Sequence, residues 1–296
     1  DTYYINTPQM GPGPDPLAHA CFVSEAMPLF LEGQVHALRL CSQAQAQALA
    51  NAVEASALYD RPLGMFKVNA PLDQAPMELG RVRAFTPGWL ENESIFMHME
   101  FKYLLALAKQ GLWQDFYRHF QAACPAFMDP ARYGRSVFEN SSFIASSANP
   151  DPAMRGQGFV ARLSGTTGEF YDLLLTLCLG QRPFRHGPDG LRFTPQPALP
   201  GAWFRTKASS VIIPGLEARG PQALPANAFA LRLFGSTLIV VQGQAGRDCF
   251  GPNALRVQGL RLQDRHGSCE NGPSLSHAAA LALRAGVFER LDILLG

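Results

Sequence analysis

Apolar residues recur at helical spacing in five segments of the first 180 residues. Each segment is bounded by residues that favour helix starts or stops. The predicted helices cover about 28–40, 42–60, 94–110, 113–124 and 167–179. The segment 1–16 is rich in proline and glycine and predicts a loop, and 62–88 and 129–162 predict long loops. Helices in succession, joined by loops of unequal length, predict an all-α layer of paired helices.

From Pro183 onward the spacing of apolar residues changes from helical to alternating. Short strand-like runs cover 191–195, 203–207, 210–213, 229–233, 238–241, 255–257 and 288–295. Gly235-Ser236 suits a hairpin turn, Gly259 a bulge and His266-Gly267 another turn, and 274–285 predicts a short helix. We therefore predict an α plus β chain in two parts, with a helical part over 1–182 and a mainly β domain over 183–296.

Composition excludes several classes of protein. The chain has 25 basic and 24 acidic residues, a balance that gives no reason to expect nucleic acid or a membrane surface as partner. It has no apolar run long enough to span a bilayer and no secretion signal, and its six scattered cysteines predict reduced thiols of a cytoplasmic protein. No His, Cys and carboxylate spacing indicates a metal site. Because residue 1 is aspartate, a fragment or processed chain is expected.

Two polar loops run directly into apolar helices, an arrangement that favours ligand sites at helix N-termini. In the first, Glu91, Asn92 and Glu93 precede His98 and offer groups for sugar hydroxyls or for acid–base chemistry. Two other interpretations stay open. His98 could be a structural histidine, and one of the glutamates could favour the helix start by its charge alone.

The second loop, Ser164-Gly165-Thr166-Thr167-Gly168, is the better anion candidate, because glycines let the backbone approach a ligand closely. A capped helix start is the alternative. The loop matches neither a nucleotide-binding Walker loop nor a serine-nucleophile elbow. The tryptophans Trp89, Trp113 and Trp203 suit sugar stacking or core packing.

Several motifs resemble one family of carbohydrate enzymes. The run 80–88, G-R-V-R-A-F-T-P-G, is followed by Glu91-Asn92 and by 95–98, I-F-M-H. These runs resemble the cellobiose-phosphorylase-type family of inverting glycoside phosphorylases, glycoside hydrolase family ninety-four. Residues 163–166 resemble its L-T-G-T motif, with serine for the first threonine, and the stretch 179–203 resembles the exit from its helical barrel. The segments 139–151, 159–165 and 250–253 look most like the branch that includes 1,2-β-oligoglucan phosphorylase.

The resemblance implies the last part of an (α/α)6 barrel over 1–182, followed by a small β-sandwich-like domain over 183–296. It implies a hexosyltransferase that cleaves β-glucan oligosaccharides with inorganic phosphate and yields α-glucose 1-phosphate. The family's general acid is an aspartate in a W-N-D segment, which this sequence lacks. No catalytic residue is therefore expected in this chain, and we expect it to be inactive without an upstream part of the enzyme.

The resemblance also implies site residues. The phosphate-binding residues would be His98, Ser164, Gly165 and, as a weaker match, Asn140. An inverting phosphorylase needs one protein acid, since phosphate replaces the water-activating base. The remaining candidates would then bind sugar: Trp89, Glu91, Asn92, Glu93 and Glu139.

No cofactor is expected besides phosphate as co-substrate. The partners implied are the oligosaccharide, phosphate and the N-terminal part of the enzyme, and a homo-oligomer stays open. Two rival functions stay open as well. The first is an inverting hydrolase on the same barrel, with Glu91, Glu93 or Glu139 as base. The second is a non-catalytic carbohydrate-binding or assembly module.

Overall fold

The computed structural model describes residues 4–15, 21–161 and 163–296. The chain divides into two compact units, Asp1–Tyr171 and Asp172–Gly296, with the division inside a helix. The elements of the first unit are β1 Tyr4–Gln9, β2 Cys21–Ala26, α1 Leu31–Leu40, α2 Gln43–Ala55, β3 Tyr59–Asp60, β4 Met65–Phe66, β5 Ile95–Phe96, α3 Met97–Lys109, α4 Trp113–Ala123, α5 Pro130–Tyr133, β6 Ser141–Ile144, β7 Gly158–Ala161 and the start of α6 Ser164–Leu179.

Helix α3 is the centre of the first unit. Ten of its thirteen residues are buried, so it is covered on nearly all sides. It packs against α1 and α4, and Phe101, Leu104 and Leu107 are fully buried. This agrees with the apolar residues on most of its circumference, which mark a helix inside a core, while His98 and Lys102 lie on the remaining face. All five predicted helices are present.

Three local predictions were wrong. The predicted loop 1–16 contains β1, which pairs with β2. In a two-stranded ribbon every second N–H points outward and needs no partner, so the prolines of this segment do not exclude a strand. The predicted loop 129–162 contains β6 and β7, which form a sheet with β5 in the order β5-β6-β7. Because Ile95 and Phe96 belong to this sheet, α3 begins at Met97 instead of at Ser94, and His98 lies in its first turn.

The second unit contains the rest of the strands. They are β8 Phe184–Gly187, β9 Gly190–Phe193, β10 Ser209–Val211, β11 Gln222–Leu224, β12 Ala228–Leu233, β13 Thr237–Gln242, β14 Val257–Asp264 and β15 Gly267–Asn271, followed by helix α7 His277–Arg284 and β16 Arg290–Leu295. A five-stranded sheet has the order β12-β13-β16-β14-β15, in which only β13 and β16 are parallel.

The α plus β class is confirmed, and the bulge at Gly259 is present. Within the described residues, β8–β9 and β10–β11 are two-stranded ribbons that are not hydrogen-bonded to the five-stranded sheet. The β-sandwich-like arrangement of 183–296 stays a prediction. Proline at 195, 197, 200, 214, 221 and 225 supplies no N–H and keeps these strands short. The predicted strand 203–207 is reduced to one bridge, between Arg205 and Ala228. None of the described helices has the length and apolarity needed to cross a bilayer.

Candidate functional site

The two loop-to-helix junctions meet at the small sheet of the first unit. Strand β5 leads directly into α3, and Phe96 of β5 pairs with Phe143 of β6. On the other side of β6, the hydroxyl oxygen of Ser142 accepts a hydrogen bond from the N–H of Leu163, at 2.8 Å. Leu163 precedes the first residue of α6. The first turns of α3 and α6 are therefore both fixed to one strand.

The imidazole of His98 packs against the first turn of α6. A β-carbon built on Gly165 would lie 2.7 Å from Nδ1 of His98, so the ring fits only because residue 165 has no side chain. Nε2 of His98 lies 3.7 Å from Oε1 of Glu169. The edge of the ring faces Phe96, with 5.7 Å between centroids and an interplanar angle of 82°. The structure thus brings together His98 and Gly165, two of the predicted phosphate-binding residues.

The surroundings of His98 favour its neutral form. Burial lowers the pKa of the imidazole below its usual value, and the positive charge of Lys102 lowers it further. The carboxylates of Glu169 and Glu32 act in the opposite direction. Lys102 is itself paired with Glu32, at 3.1 Å. A neutral imidazole has one N–H donor and one acceptor nitrogen, so His98 can still donate one hydrogen bond to an anion.

Ser164 is the first residue of α6, which begins three residues earlier than predicted. The backbone N–H groups at the start of a helix have no intrahelical acceptor and are available to a ligand. In the adjoining segment before β6, both polar side-chain atoms of Asn140 are buried and lack a hydrogen-bond partner among the described residues. The same holds for Oγ1 of Thr166. Such atoms are costly to leave unpaired and mark places where a ligand or water completes the structure.

The predicted sugar-binding carboxylates have different surroundings. Glu91 is partly exposed, pairs with Arg81 at 3.2 Å, and lines a cavity of about 710 Å³. This cavity lies between the start of α1 and β5, and Glu32 and Phe96 also line it. Glu93, in contrast, is buried in an ion pair with Lys67, at 2.7 Å, and has no free face toward a ligand.

The other three candidates also have protein partners. The side-chain amide of Asn92 donates to the backbone oxygen of Phe85, at 2.7 Å. The carboxylate of Glu139 accepts from Arg135, at 3.0 Å. The ring of Trp89 stacks on Phe159 at 3.6 Å and 3°, which leaves at most one face for a sugar. The remaining tryptophans contact aromatic neighbours, Trp113 with Phe116 and Trp203 with Phe229.

The loop before β5 is held in a strained conformation. Leu90 and Glu93 have φ angles of +50° and +53°, in the left-handed region that side chains rarely adopt. Asn69 fixes the loop, since its amide donates to the backbone oxygen of Glu91 at 2.6 Å and accepts from the N–H of Glu93 at 2.8 Å. Strained residues cost about 1–3 kcal/mol each and concentrate at functional sites.

Sequence reasoning missed three charged residues around His98, namely Glu32, Lys102 and Glu169. Glu169 had a usable signal, because it follows Gly165 by four residues and therefore shares its helix face. Lys102 follows His98 by the same interval. Glu32 had none, since its position depends on how α1 packs against α3. Within the described residues, no group of three or more His, Cys, Asp or Glu side chains is placed to hold a metal ion.

Comparison with known families places most of this site in one domain type. Residues 24–180 match the model of the glycosyl hydrolase 94 superfamily, catalytic domain. The match covers more than half of the chain and contains His98, Asn140, Gly165 and Glu169. No curated protein matches the chain. The family predicted from the motifs is thereby confirmed, and this chain belongs to the glycosyl hydrolase 94 superfamily.

Proposed function

We propose that this chain forms the phosphate-binding part of an inverting glycoside phosphorylase, which converts β-glucan oligosaccharides and inorganic phosphate into α-glucose 1-phosphate. The observation that carries the proposal is the contact between His98 and Gly165 at the first turn of α6. This contact joins an imidazole donor to a helix N-terminus, and helix N-termini favour anions by their free N–H groups and their dipole.

The chemistry of an inverting phosphorylase explains why such a site is needed. Phosphate is the nucleophile, so the protein must hold it beside the anomeric carbon instead of activating a water. Donors fixed before the reaction bind the anion without reorganisation. Ser164, Gly165 and His98 would supply these donors, together with the side-chain amide of Asn140, which has no partner among the described residues. The general acid would come from a segment outside this sequence.

The cavity beside Glu91 supports a sugar site next to the anion site. Its wall includes Phe96, whose ring also faces His98, so the cavity and the imidazole share a neighbour. Glu91 and Glu32 give the cavity carboxylate acceptors for hydroxyl groups, and apolar side chains make up much of the rest. Glu91 is therefore the predicted sugar-binding carboxylate that the geometry favours most.

We extend the proposal to the architecture, the linkage and the co-substrate. The helices of 1–182 would form the last part of an (α/α)6 barrel, and 183–296 would form its C-terminal β domain. The linkage would be β-1,2, as in the branch that the motifs resemble. Phosphate would be the only co-substrate, without a further cofactor.

The test is an assay of the enzyme that combines this chain with the segment carrying the general acid. We expect β-glucan oligosaccharides to give glucose 1-phosphate only when phosphate is present. Release of free sugar without phosphate would instead identify a hydrolase, with Glu91 or Glu139 as candidate base. No turnover with or without phosphate, in a preparation that binds oligosaccharide, would identify a binding module.

Substitution of His98 tests the anion site. His98→Ala should weaken phosphate binding by about 1.5–3 kcal/mol, the contribution of one hydrogen bond to a charged group. Binding of the oligosaccharide should change much less, because the imidazole would contact only phosphate. Calorimetric titration of both ligands measures the two effects, and His266→Ala, at an exposed turn of the second unit, serves as control. Equal losses for both ligands would make His98 a structural residue, and an unchanged phosphate affinity would rule it out of the site.

A further inference from the structure

We propose that Glu169 is a specificity-determining residue that accepts a hydrogen bond from the P–OH group of phosphate and thereby excludes sulfate. The inference rests on the proposed phosphate site and adds a residue that carries negative charge. A carboxylate at an anion site is unexpected on charge alone, so its position needs a chemical reason.

The position of Glu169 follows from the helix. It lies four residues after Gly165, and residues at this interval share one helix face. The face of Gly165 is the one that meets His98, so the carboxylate is held beside the imidazole. Both side chains keep some exposure, 26% for His98 and 22% for Glu169. A small anion approaching the imidazole would therefore meet both groups.

His98 does not use the hydrogen-bonding capacity of the Glu169 carboxylate. The distance of 3.7 Å between Nε2 of His98 and Oε1 of Glu169 is beyond that of a hydrogen bond. The two groups attract each other through space, and no described residue donates a hydrogen bond within 3.5 Å to the Glu169 carboxylate, so its lone pairs are open to a third group. An ionised carboxylate only accepts hydrogen bonds. A ligand at this position must therefore offer a proton or be repelled.

Phosphate and sulfate differ in this respect. Both are small tetrahedral anions, but near neutral pH phosphate retains at least one P–OH group, whereas sulfate has no proton. Hydrogen phosphate can donate its O–H to Glu169 while its other oxygens accept from His98 and the N–H groups of α6. Sulfate would place an unprotonated oxygen against the carboxylate, and such like-charge contacts are a means of rejecting the wrong ligand.

The charges around His98 support the proposal that the site recognises phosphate by its P–OH proton. Lys102 and His98 lie on α3, Glu32 on α1 and Glu169 on α6. Lys102 is paired with Glu32, at 3.1 Å. The positive charge of Lys102 is thus compensated, and it is the one cation among the described residues that acts on the pKa of His98. Discrimination then depends on hydrogen bonds that a particular ligand completes.

The experiment compares two anions on three forms of the chain. Inorganic phosphate and sulfate are titrated separately, at pH 7 and constant ionic strength, into the wild type, Glu169→Gln and Asp172→Asn. Asp172→Asn removes the same charge from the same helix, three residues further on, and is the matched control. We expect the wild type and the control to bind phosphate about tenfold more tightly than sulfate. This is the lower end of the range for one hydrogen bond to a charged group, because the site is partly exposed.

In Glu169→Gln this preference should fall to about one, chiefly because sulfate binds more tightly. Glu169→Asp, which keeps the carboxylate, should retain a preference for phosphate. Thermal unfolding of each variant shows whether the fold is intact. If the wild type binds phosphate and Glu169→Gln keeps the full preference, the inference about Glu169 is wrong and the proposed function stands. If the wild type binds neither anion, the phosphate site itself is wrong.

Discussion

Gly88→Ala is expected to lower the free energy of unfolding of the first unit by about 3 kcal/mol or more. Gly88 has a φ of +74°, a conformation unfavourable for alanine. A β-carbon there would lie 2.9 Å from the Cα of Asn149 and closer still to its backbone nitrogen. Backbone atoms cannot rotate away as a side chain can, so the loop before β5 would have to move.

Gly134→Ala separates the steric effect from the backbone effect. Gly134 also has a positive φ, +67°, but a β-carbon there would meet only the flexible side chain of Gln157, at 3.9 Å. We expect this control to lose about 1–2 kcal/mol, the cost of the left-handed conformation alone. Urea unfolding of the wild type and both variants measures the difference. Equal losses of unfolding free energy in the two variants would show that the close approach of Gly88 to Asn149 adds nothing to the cost of the left-handed conformation.

Glu100→Gln is expected to stabilise the protein at neutral and alkaline pH. Glu100 lies on α3 and is completely buried. One carboxyl oxygen accepts the N–H of Phe66, at 2.9 Å, and the other has no partner among the described residues. Burial raises the pKa of this carboxyl from 4.5 to about 8. Glutamine keeps the acceptor for Phe66 and removes the group that must either hold a proton or bury a charge.

The sign of the effect follows from proton linkage. Between pH 4.5 and 8 the folded protein holds a proton on Glu100 that the unfolded chain releases. The wild type therefore loses stability as pH rises through this interval, and the glutamine variant does not. The two should be about equally stable near pH 4 and differ by on the order of 3–5 kcal/mol at pH 8 and above. Chemical unfolding at a series of pH values measures this, and a difference independent of pH would contradict the pKa shift.

Helical periodicity was sufficient to predict the helices of the first unit, but the short strands could not be found in the same way. All four residues of β6 are buried, including Ser141 and Ser142, so no alternation of polar and apolar residues marks it as a strand. Its pairing with β5 and β7 depends on segments far away in sequence. The start of α3 depends on the same pairing, and for this reason the helix was predicted three residues too early.

The candidate site was predictable where a short motif carries it. His98 and Gly165 each belong to a loop-to-helix junction, and the structure brings these junctions together. The partner of each carboxylate was not predictable. Glu93 is paired with Lys67 and Glu91 with Arg81, and both pairs depend on the fold of the loop between them. Sequence alone treated these two glutamates alike, whereas one is buried and the other lines the cavity.

The stacked rings beside the site have a consequence for the order of folding. Four aromatic rings follow one another in contact, in the order Trp89, Phe159, Phe143 and Phe96. The last of them, Phe96, contacts His98. Trp89 belongs to the loop before β5 and Phe96 to β5 itself. Phe143 and Phe159 belong to β6 and β7, which lie much further along the chain. Closing so long a loop costs conformational entropy before its contacts compensate. During synthesis, we therefore expect the loop before β5 to lack its stacking partners until Phe159 has left the ribosome, so the site cannot form before that point.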